Sequence, residues 1–179
     1  AHENNIKVHM DGARIFNACA ALDLSVDRIV ENVDSVTFCL SKGLSAPIGS
    51  IICGRKNFIQ EARRIRKSLG GGMRQTGIIS AAGIVSLKKM TSRLKDDHTN
   101  AKHLANSLCK LKGIKLNPKL VPTNIIFFNF NHTNISSNEF IAHLKSNRIL
   151  CNDYNGKYFR LVTHHRISKD DIENVIDVF

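Results

Sequence analysis

Three residues whose side chains could take part in a reaction lie at or just after the ends of predicted strands. Asp11 directly follows the run IKVHM (6–10), and Arg14 comes three residues later, where a helical pattern begins. Lys42 follows Asp11 by 31 residues, in the small-residue stretch SKGLSAPIGS (41–50). A strand–helix–strand crossover needs about 30 residues, so we expect neighbouring parallel strands to end at these two side chains. Because ligands bind at that edge of open α/β sheets, the spacing predicts a carboxylate and an amine facing one ligand.

This pair of side chains indicates the chemical nature of the ligand. A lysine flanked by small residues and near other cations can lose its proton when it is partly desolvated, and Schiff-base formation with an aldehyde requires that loss. Pyridoxal phosphate is such an aldehyde, and a carboxylate at its ring nitrogen lets the ring accept electrons released at the substrate Cα. An Asp-Gly turn or a loop lysine alone is usually structural, but Lys42 and Asp11 together, with Arg14 nearby, indicate a site. His9, on the same side of the strand as Asp11, is interpreted as a structural histidine.

The elements that must position this pair alternate along the first half of the chain. Helices are expected over 13–22, 24–32 and 57–69, and strands over 6–10, 35–40 and 51–54. The stretch 35–40 is almost continuously apolar, which is typical of a parallel strand covered on both faces, and 51–54 is likewise expected to be buried. From Thr76 a helical pattern runs for more than thirty residues without proline, broken at most once, near Asp96.

The pattern changes after Pro118 and Pro122. Strands are expected over 124–130 and 157–163, and helices over 137–147 and 168–179, the last one capped by Ser168. We therefore expect two domains, residues 1–95 in an α/β unit and residues 96–179 in a smaller α+β unit. The chain opens on Ala1 and stops inside a helical pattern at Phe179, so we expect it to be a fragment truncated at both ends.

Composition narrows the classes of function. The net charge of +11 admits a nucleic-acid partner, because basic residues cluster at Arg55, Lys56, Arg63, Arg64, Arg66, Lys67 and Arg74. With 6% aromatic residues and no tryptophan, a solvated face or a site for phosphorylated small molecules is the preferred interpretation, and we expect no nucleic acid. No apolar run reaches the roughly 18 residues of a membrane span, so no membrane partner is expected. Five cysteines without CxxC pairing indicate reduced thiols, no metal site, and a cytoplasmic location, in the cytosol or a mitochondrial matrix.

Four motifs carry a family resemblance. HMDGARIFNA (9–18), SKGLSAPIGS (41–50) and RKSLGGGMRQTGIISAAG (66–83) closely resemble the threonine aldolase family, and FRLVTH (159–164) resembles its C-terminal domain. The resemblance implies the aspartate-aminotransferase-like fold of pyridoxal phosphate enzymes. Residues 1–95 would then form the C-terminal part of a cofactor-binding large domain with a mostly parallel sheet, followed by the small α+β domain.

The resemblance also implies roles for individual residues. Lys42 would form the Schiff base with pyridoxal phosphate, Asp11 would pair with the pyridine nitrogen, and Arg14 would lie near the phenolic oxygen and the substrate carboxylate. Arg160 resembles the second carboxylate-binding arginine of the family. An arginine–carboxylate fork is bidentate and fixes the orientation of the bond to be broken.

The implied reaction is a retro-aldol cleavage of a β-hydroxy-α-amino acid, with threonine or allo-threonine giving glycine and acetaldehyde in threonine catabolism and glycine biosynthesis. The family forms homo-oligomers, tetramers or dimers with shared active sites, in which Lys67 and Arg74 resemble residues that approach the phosphate of a neighbouring subunit's cofactor. Alternatives are another β-eliminating or phenylserine-type lyase on the same fold, and a non-catalytic relative. Because the family's N-terminal half is not in this sequence, we expect residues 1–179 alone to be inactive.

Overall fold

The described chain forms two compact units. A computed structural model describes residues 1–131, 134–154, 156 and 158–179, and the units divide after Leu94. The first unit contains β1 (His9–Asp11), α1 (Ile15–Leu22), α2 (Val26–Val30), β2 (Ser35–Cys39), β3 (Ser50–Gly54), α3 (Lys56–Ser68) and α4 (Gly77–Val85). The second contains α5 (Leu94–Leu108, from its second residue), β4 (Ile114–Lys115), β5 (Ile125–Phe130), α6 (Ser137–Ser146), β6 (Asn152–Tyr154), β7 (Tyr158–Val162) and α7 (Lys169–Val178).

The predicted strand–helix–strand unit is confirmed. Strands β1 and β2 pair in parallel, with Asp11 opposite Thr37, and α1 and α2 form the crossover between them. Strand β3 adds to β2 in the antiparallel direction, so this part of the sheet is mixed, in the order β1-β2-β3. The fold class is α/β, as the sequence predicts.

The expectation that residues 51–54 form a buried strand is wrong. Strand β3 forms there, but all five of its residues are exposed, and helix α3 beside it buries none of its own side chains. Apolar composition correctly predicted the strand. It could not predict the burial, because β3 is an edge strand with no neighbour on its far side among the described residues.

The long helical pattern after Thr76 is divided earlier than expected. Helix α4 continues into a π-helical turn at Ser86–Met90, and α5 starts at Leu94, so the break lies just before Leu94 rather than near Asp96. Asp96 lies in the first turn of α5, where the unpaired N–H groups of a helix favour a carboxylate. No helix in the described ranges is long and apolar enough to cross a membrane.

The second unit contains a four-stranded antiparallel sheet in the order β4-β5-β7-β6. Its core is aromatic, with the Phe128 and Phe159 rings stacked at 5.5 Å and Phe140 edge-on to both. The strands predicted at 124–130 and 157–163 are observed as β5 and β7, although Lys157 lies outside the described residues. The short strands β4 and β6 were not predicted.

Two serines begin the helices of this unit. Ser136 and Ser168 each accept a hydrogen bond from the backbone N–H three residues on. The carboxylate of that residue, Glu139 or Asp171, accepts a hydrogen bond from the serine N–H in turn. Such capping boxes satisfy backbone donors that a helix start leaves unpaired. The predicted Ser168 cap is confirmed.

Hydrogen bonds to Asp34 hold the segment before β1 in place. Its carboxylate accepts hydrogen bonds from the Val8 backbone N–H at 2.9 Å and from Lys7 Nζ at 3.0 Å, and it contacts His2 Nε2 at 2.9 Å. The Val8 N–H, with the His2 and Lys7 side chains, lowers the pKa of Asp34 well below its usual range. The ionised carboxylate therefore holds the entry to the strand that ends in Asp11.

We predict a pH-dependent stability that Asp34 controls. Because the folded-state pKa is lowered, the stabilisation is complete above the unfolded-state pKa of about 4 and declines as the pH falls below it. Thermal melting should show the Tm gap between wild type and Asp34→Asn shrinking from pH 7 to pH 3. Asp27→Asn, on the exposed start of α2, is the control, and its Tm gap should be much smaller than that of Asp34→Asn at pH 7, because an exposed carboxylate at a helix start contributes at most about 1 kcal/mol. A gap that stays constant with pH would contradict the assignment.

Candidate active site

Asp11 occupies the carboxyl tip of β1. Its Oδ1 accepts a hydrogen bond from the Ala13 backbone N–H at 3.1 Å, which holds the exposed carboxylate over the turn that leads into α1. The next residue, Gly12, donates its N–H to the Thr37 carbonyl at 2.7 Å. A Cβ on Gly12 would meet that carbonyl oxygen at 3.1 Å and Val36 Cγ2 also at 3.1 Å. Glycine therefore lets β1 stay paired to β2 to its last residue.

His9 lies one pleat before Asp11 and is held on both ring nitrogens. Nδ1 is 2.8 Å from Ser35 Oγ, and Nε2 is 3.0 Å from Thr37 Oγ1. Both hydroxyls belong to the neighbouring strand β2, so the imidazole links the two strands. These contacts agree with the interpretation of His9 as a structural histidine.

Lys42 projects from a loop that is anchored on both sides of it. The Leu40 N–H donates to the Gly49 carbonyl at 2.9 Å, the Ala46 N–H to the Leu40 carbonyl at 3.0 Å, and the Ser45 N–H to the Lys42 carbonyl at 2.9 Å. The loop side chains Leu40, Leu44 and Ala46 are buried against Leu94 in a small apolar cluster. The Lys42 side chain is exposed and makes no hydrogen bond or ion pair with any described residue. The backbone is fixed and the amine stays available.

Gly43 and Asn17 bring the lysine loop against the helix that follows Asp11. A Cβ on Gly43 would lie 2.7 Å from Asn17 Oδ1 and 3.1 Å from Leu94 Cδ2, so only glycine allows this approach. Asn17 is 3% exposed on α1. The sequence motifs do not predict this contact, although an asparagine within the apolar run ARIFNACAAL (13–22) is the signal that points to it.

Arg14 belongs to the same turn as Asp11. It directly precedes α1, its side chain is half-buried, and its carbonyl accepts hydrogen bonds from the N–H groups of Asn17 and Ala18. The structure thus collects Asp11, Arg14 and the Lys42 loop around the start of one helix in the first unit.

Lys67 and Arg74 lie farther along the same unit. Lys67 is in the last turn of α3, and Arg74 follows the glycine triplet, where Gly72 lies against the Lys67 stem. Both side chains are exposed, and neither makes a hydrogen bond or ion pair within the described ranges. The structure therefore leaves both cations open to solvent without joining them to Asp11 or Lys42.

Arg160 belongs to the second unit. It lies on β7 between Phe127 of β5 and Asn152 of β6, and its Nη1 donates to Tyr154 Oη at 3.4 Å. Its Nε is buried and has no hydrogen-bond partner among the described residues. This half-buried guanidinium therefore keeps a donor that no described residue uses, and a carboxylate or another acceptor would satisfy it.

The donor set of the first unit fits a cofactor that offers an aldehyde and a basic ring nitrogen. Lys42 provides an accessible amine, and Asp11 provides an oriented carboxylate on the adjoining parallel strand. No group of three or more His, Cys, Asp and Glu side chains suited to a metal ion occurs in the part of the chain that the structure describes. The arrangement can therefore hold an aldehyde covalently and pair its ring nitrogen with an anion.

Comparison with known proteins shows what this chain is similar to. A sequence model of the family described as beta-eliminating lyase matches residues 1–131. The chain is 42% identical to the low-specificity L-threonine aldolase 1 of Arabidopsis thaliana, a match that covers 100% of this chain and 50% of that protein. It is 39% identical to the low specificity L-threonine aldolase of Escherichia coli K12, covering 97% of this chain and 50% of that one. The chain thus spans about half the length of the curated relatives it matches.

A solved structure shows the same fold. The crystal structure of a protein assigned as an L-allo-threonine aldolase from Listeria monocytogenes superposes with a TM-score of 0.83 at 22% sequence identity. The match covers 99% of this chain and 52% of that one. The architecture of both units is therefore that of a larger known fold.

We predict that Gly43→Ala destabilises the first unit by about 1–3 kcal/mol, because the added methyl overpacks the contact with Asn17 and Leu94. Urea unfolding followed by circular dichroism measures this loss. Gly77→Ala is the matched control, since a Cβ there meets nothing within 4 Å, and it should be neutral or stabilising. Adding Asn17→Ala to Gly43→Ala should recover part of the loss. Additive costs of the two substitutions would contradict the contact.

Proposed function

This chain belongs to the beta-eliminating lyase family, and we propose that the whole protein is a pyridoxal phosphate-dependent aldolase that cleaves threonine or allo-threonine to glycine and acetaldehyde. One observation carries the proposal. The parallel pairing of β1 and β2 puts Asp11 and the Lys42 loop at the same edge of one sheet. An amine and a carboxylate at that edge suit the two ends of one pyridine aldehyde.

Each residue of the site has a defined task in this proposal. When bound, pyridoxal phosphate supplies an electron sink for the pair released at the substrate Cα. Lys42 would hold the cofactor covalently through its Nζ amine. Asp11 would keep the ring nitrogen protonated, because an adjacent anion favours the cationic form. Arg14 would bind the carboxylate of the amino acid and fix its orientation.

We further propose roles for three more basic residues. Arg160 would bind the substrate carboxylate, which would use its remaining donors. Lys67 and Arg74, both exposed cations, would approach the phosphate of the cofactor in a neighbouring subunit of a homo-oligomer, a dimer or a tetramer. We propose a cytoplasmic or mitochondrial-matrix setting and a role in glycine formation, with no nucleic-acid or membrane partner.

The main alternative is a different reaction on the same fold. β-Elimination is one such reaction, because the matching family is described as beta-eliminating lyase. β-Elimination would release ammonia and a keto acid, whereas aldol cleavage releases glycine and an aldehyde. Assays of the whole protein with allo-threonine, threonine and phenylserine therefore separate these reactions by their products. A non-catalytic relative would yield none of them. Residues 1–179 alone should be inactive, and turnover of allo-threonine by this chain would contradict that expectation.

The first test of the function is covalent labelling. Borohydride reduction of the whole protein with pyridoxal phosphate should place the label on Lys42, as located by peptide mass spectrometry. Lys42→Arg keeps the charge but cannot react with the aldehyde, so the label should disappear and kcat should fall roughly 10³-fold or more. Lys102→Arg, an exposed lysine of the second unit, is the control and should change neither. Labelling of another lysine in wild type would overturn the role of Lys42.

Asp11→Asn tests the second role separately. The amide retains an acceptor for the Ala13 N–H but loses the charge that protonates the ring. We expect kcat to fall by about 10² or more, while the label at Lys42 persists. Asp27→Asn is the control at an exposed carboxylate and should leave kcat unchanged. Unchanged turnover in Asp11→Asn would show that the carboxylate does not serve the ring.

A further inference from the structure

Two aromatic side chains meet beside Arg160 on the exposed face of the second unit's sheet. Phe127 of β5 lies directly opposite Arg160 on β7, and Tyr154 of β6 is two residues from Asn152, the other partner of Arg160. Because β7 separates β5 from β6, these two strands are two strand spacings, roughly 10 Å, apart. The ring centroids of Phe127 and Tyr154 are nevertheless 6.3 Å apart. The rings therefore lean toward each other across β7, at the level of Arg160.

The guanidinium of Arg160 is both held and desolvated at this point. Its Nη1 donates a long hydrogen bond of 3.4 Å to Tyr154 Oη. Its Nε is buried and has no hydrogen-bond partner among the described residues. A buried donor without an acceptor is unfavourable, because it has lost its water without gaining a replacement. An acceptor carried by a ligand would remove that penalty.

The position of the two rings is not explained by the core of this unit. The core lies on the other face of the sheet, where Phe128 and Phe159 are almost fully buried. Phe127 and Tyr154 remain 54% and 45% exposed. A cross-strand aromatic contact of this kind adds modestly to the stability of a sheet. Stability alone does not account for a contact that also takes an arginine Nε out of water.

We propose that Phe127 and Tyr154 are positioning residues that set the affinity of Arg160 for the carboxylate of an amino acid. The inference rests on the proposed function, which assigns the substrate carboxylate to Arg160. Charge-assisted hydrogen bonds become stronger where water is excluded. A guanidinium that is already held also loses less side-chain entropy when the carboxylate binds. Both effects act on binding, so neither aromatic residue takes part in bond cleavage.

The test compares ligands with and without a carboxylate. Calorimetric titration of the whole protein measures the Kd of glycine and of ethanolamine, in which a hydroxymethyl group replaces the carboxylate. Tyr154→Phe removes only the hydroxyl, and Phe127→Leu removes the ring but keeps an apolar side chain. Each should raise the Kd of glycine about three- to tenfold, the effect of a typical hydrogen bond, and leave that of ethanolamine unchanged. The KM for allo-threonine should rise by a similar factor at constant kcat, because uniform binding is lost.

The chain's other tyrosine provides the matched control. Tyr158 lies opposite Tyr154 on the same face of the sheet, and it is 48% exposed. Tyr158→Phe therefore removes the same group from a neighbouring position, and the Kd of glycine should stay unchanged. Equal weakening by Tyr158→Phe and Tyr154→Phe would overturn the proposal. So would an unchanged Kd of glycine in both Tyr154→Phe and Phe127→Leu, or equal losses for glycine and ethanolamine.

A double-mutant cycle determines whether the effect passes through Arg160. Arg160→Lys keeps the charge but lacks the planar fork of donors. Adding Tyr154→Phe to Arg160→Lys should weaken glycine binding no further, because the hydroxyl then has no guanidinium to hold. Additive losses would show that Tyr154 acts independently of Arg160 and would contradict its positioning role.

The desolvation of Arg160 can be measured without a ligand in the 179-residue chain. In heteronuclear NMR spectra, the Nε–H of Arg160 should exchange with water more slowly than that of Arg63, which is exposed on α3. Phe127→Leu should remove this difference, and equal exchange in wild type would overturn the inference. A whole protein that binds glycine through Tyr154 but releases no aldehyde from allo-threonine would contradict the proposed function and leave the positioning role intact.

Discussion

The hydrogen-bonded parallel register of β1 and β2 is the constraint on which the candidate site depends. Asp11 lies opposite Thr37, and the Gly12 N–H continues the ladder to the Thr37 carbonyl at 2.7 Å. A shift of one residue would turn Asp11 to the other face, because successive strand side chains alternate. The bonds from His9 to hydroxyls of Ser35 and Thr37 select the same register through side chains. The strand carrying the acid and the strand leading to the amine are therefore locked together before any ligand binds.

The register alone does not determine the position of Lys42, because the lysine is the third residue after the end of β2. The loop is set instead by burial of Leu40, Leu44 and Ala46 and by the approach of Gly43 to Asn17. A fixed backbone with a mobile side chain suits covalent chemistry. The backbone around the amine is rigid, whereas the flexible four-carbon stem of the lysine can move between cofactor and solvent. Preorganisation is thus built into apolar contacts that take no part in the reaction.

Much of this arrangement could be predicted from sequence, because its signals are local. The spacing of 31 residues from Asp11 to Lys42 matches a crossover, and Ser168 before an acidic first turn marks a helix start. Two kinds of feature could not be predicted from the sequence. The apolar composition of residues 51–54 predicts a buried strand, but burial also requires another element packed on β3. The sequence pattern of the strand does not specify that element. The Asn17–Gly43 contact joins residues 26 apart, and no periodicity reports a long-range contact.

The exposed strand β3 and the candidate site are connected by the sheet itself. Strand β2 pairs with β1 on one side and with β3 on the other, so the strand that leads to Lys42 is central within these three strands. Edge strands open more readily than central ones, since fewer buried contacts hold them. Because β2 is hydrogen-bonded along both of its edges, opening of the Lys42 loop costs more than it would after an edge strand. The central position of β2 therefore serves the candidate site, since a loosened amine loses the orientation that a covalent step needs.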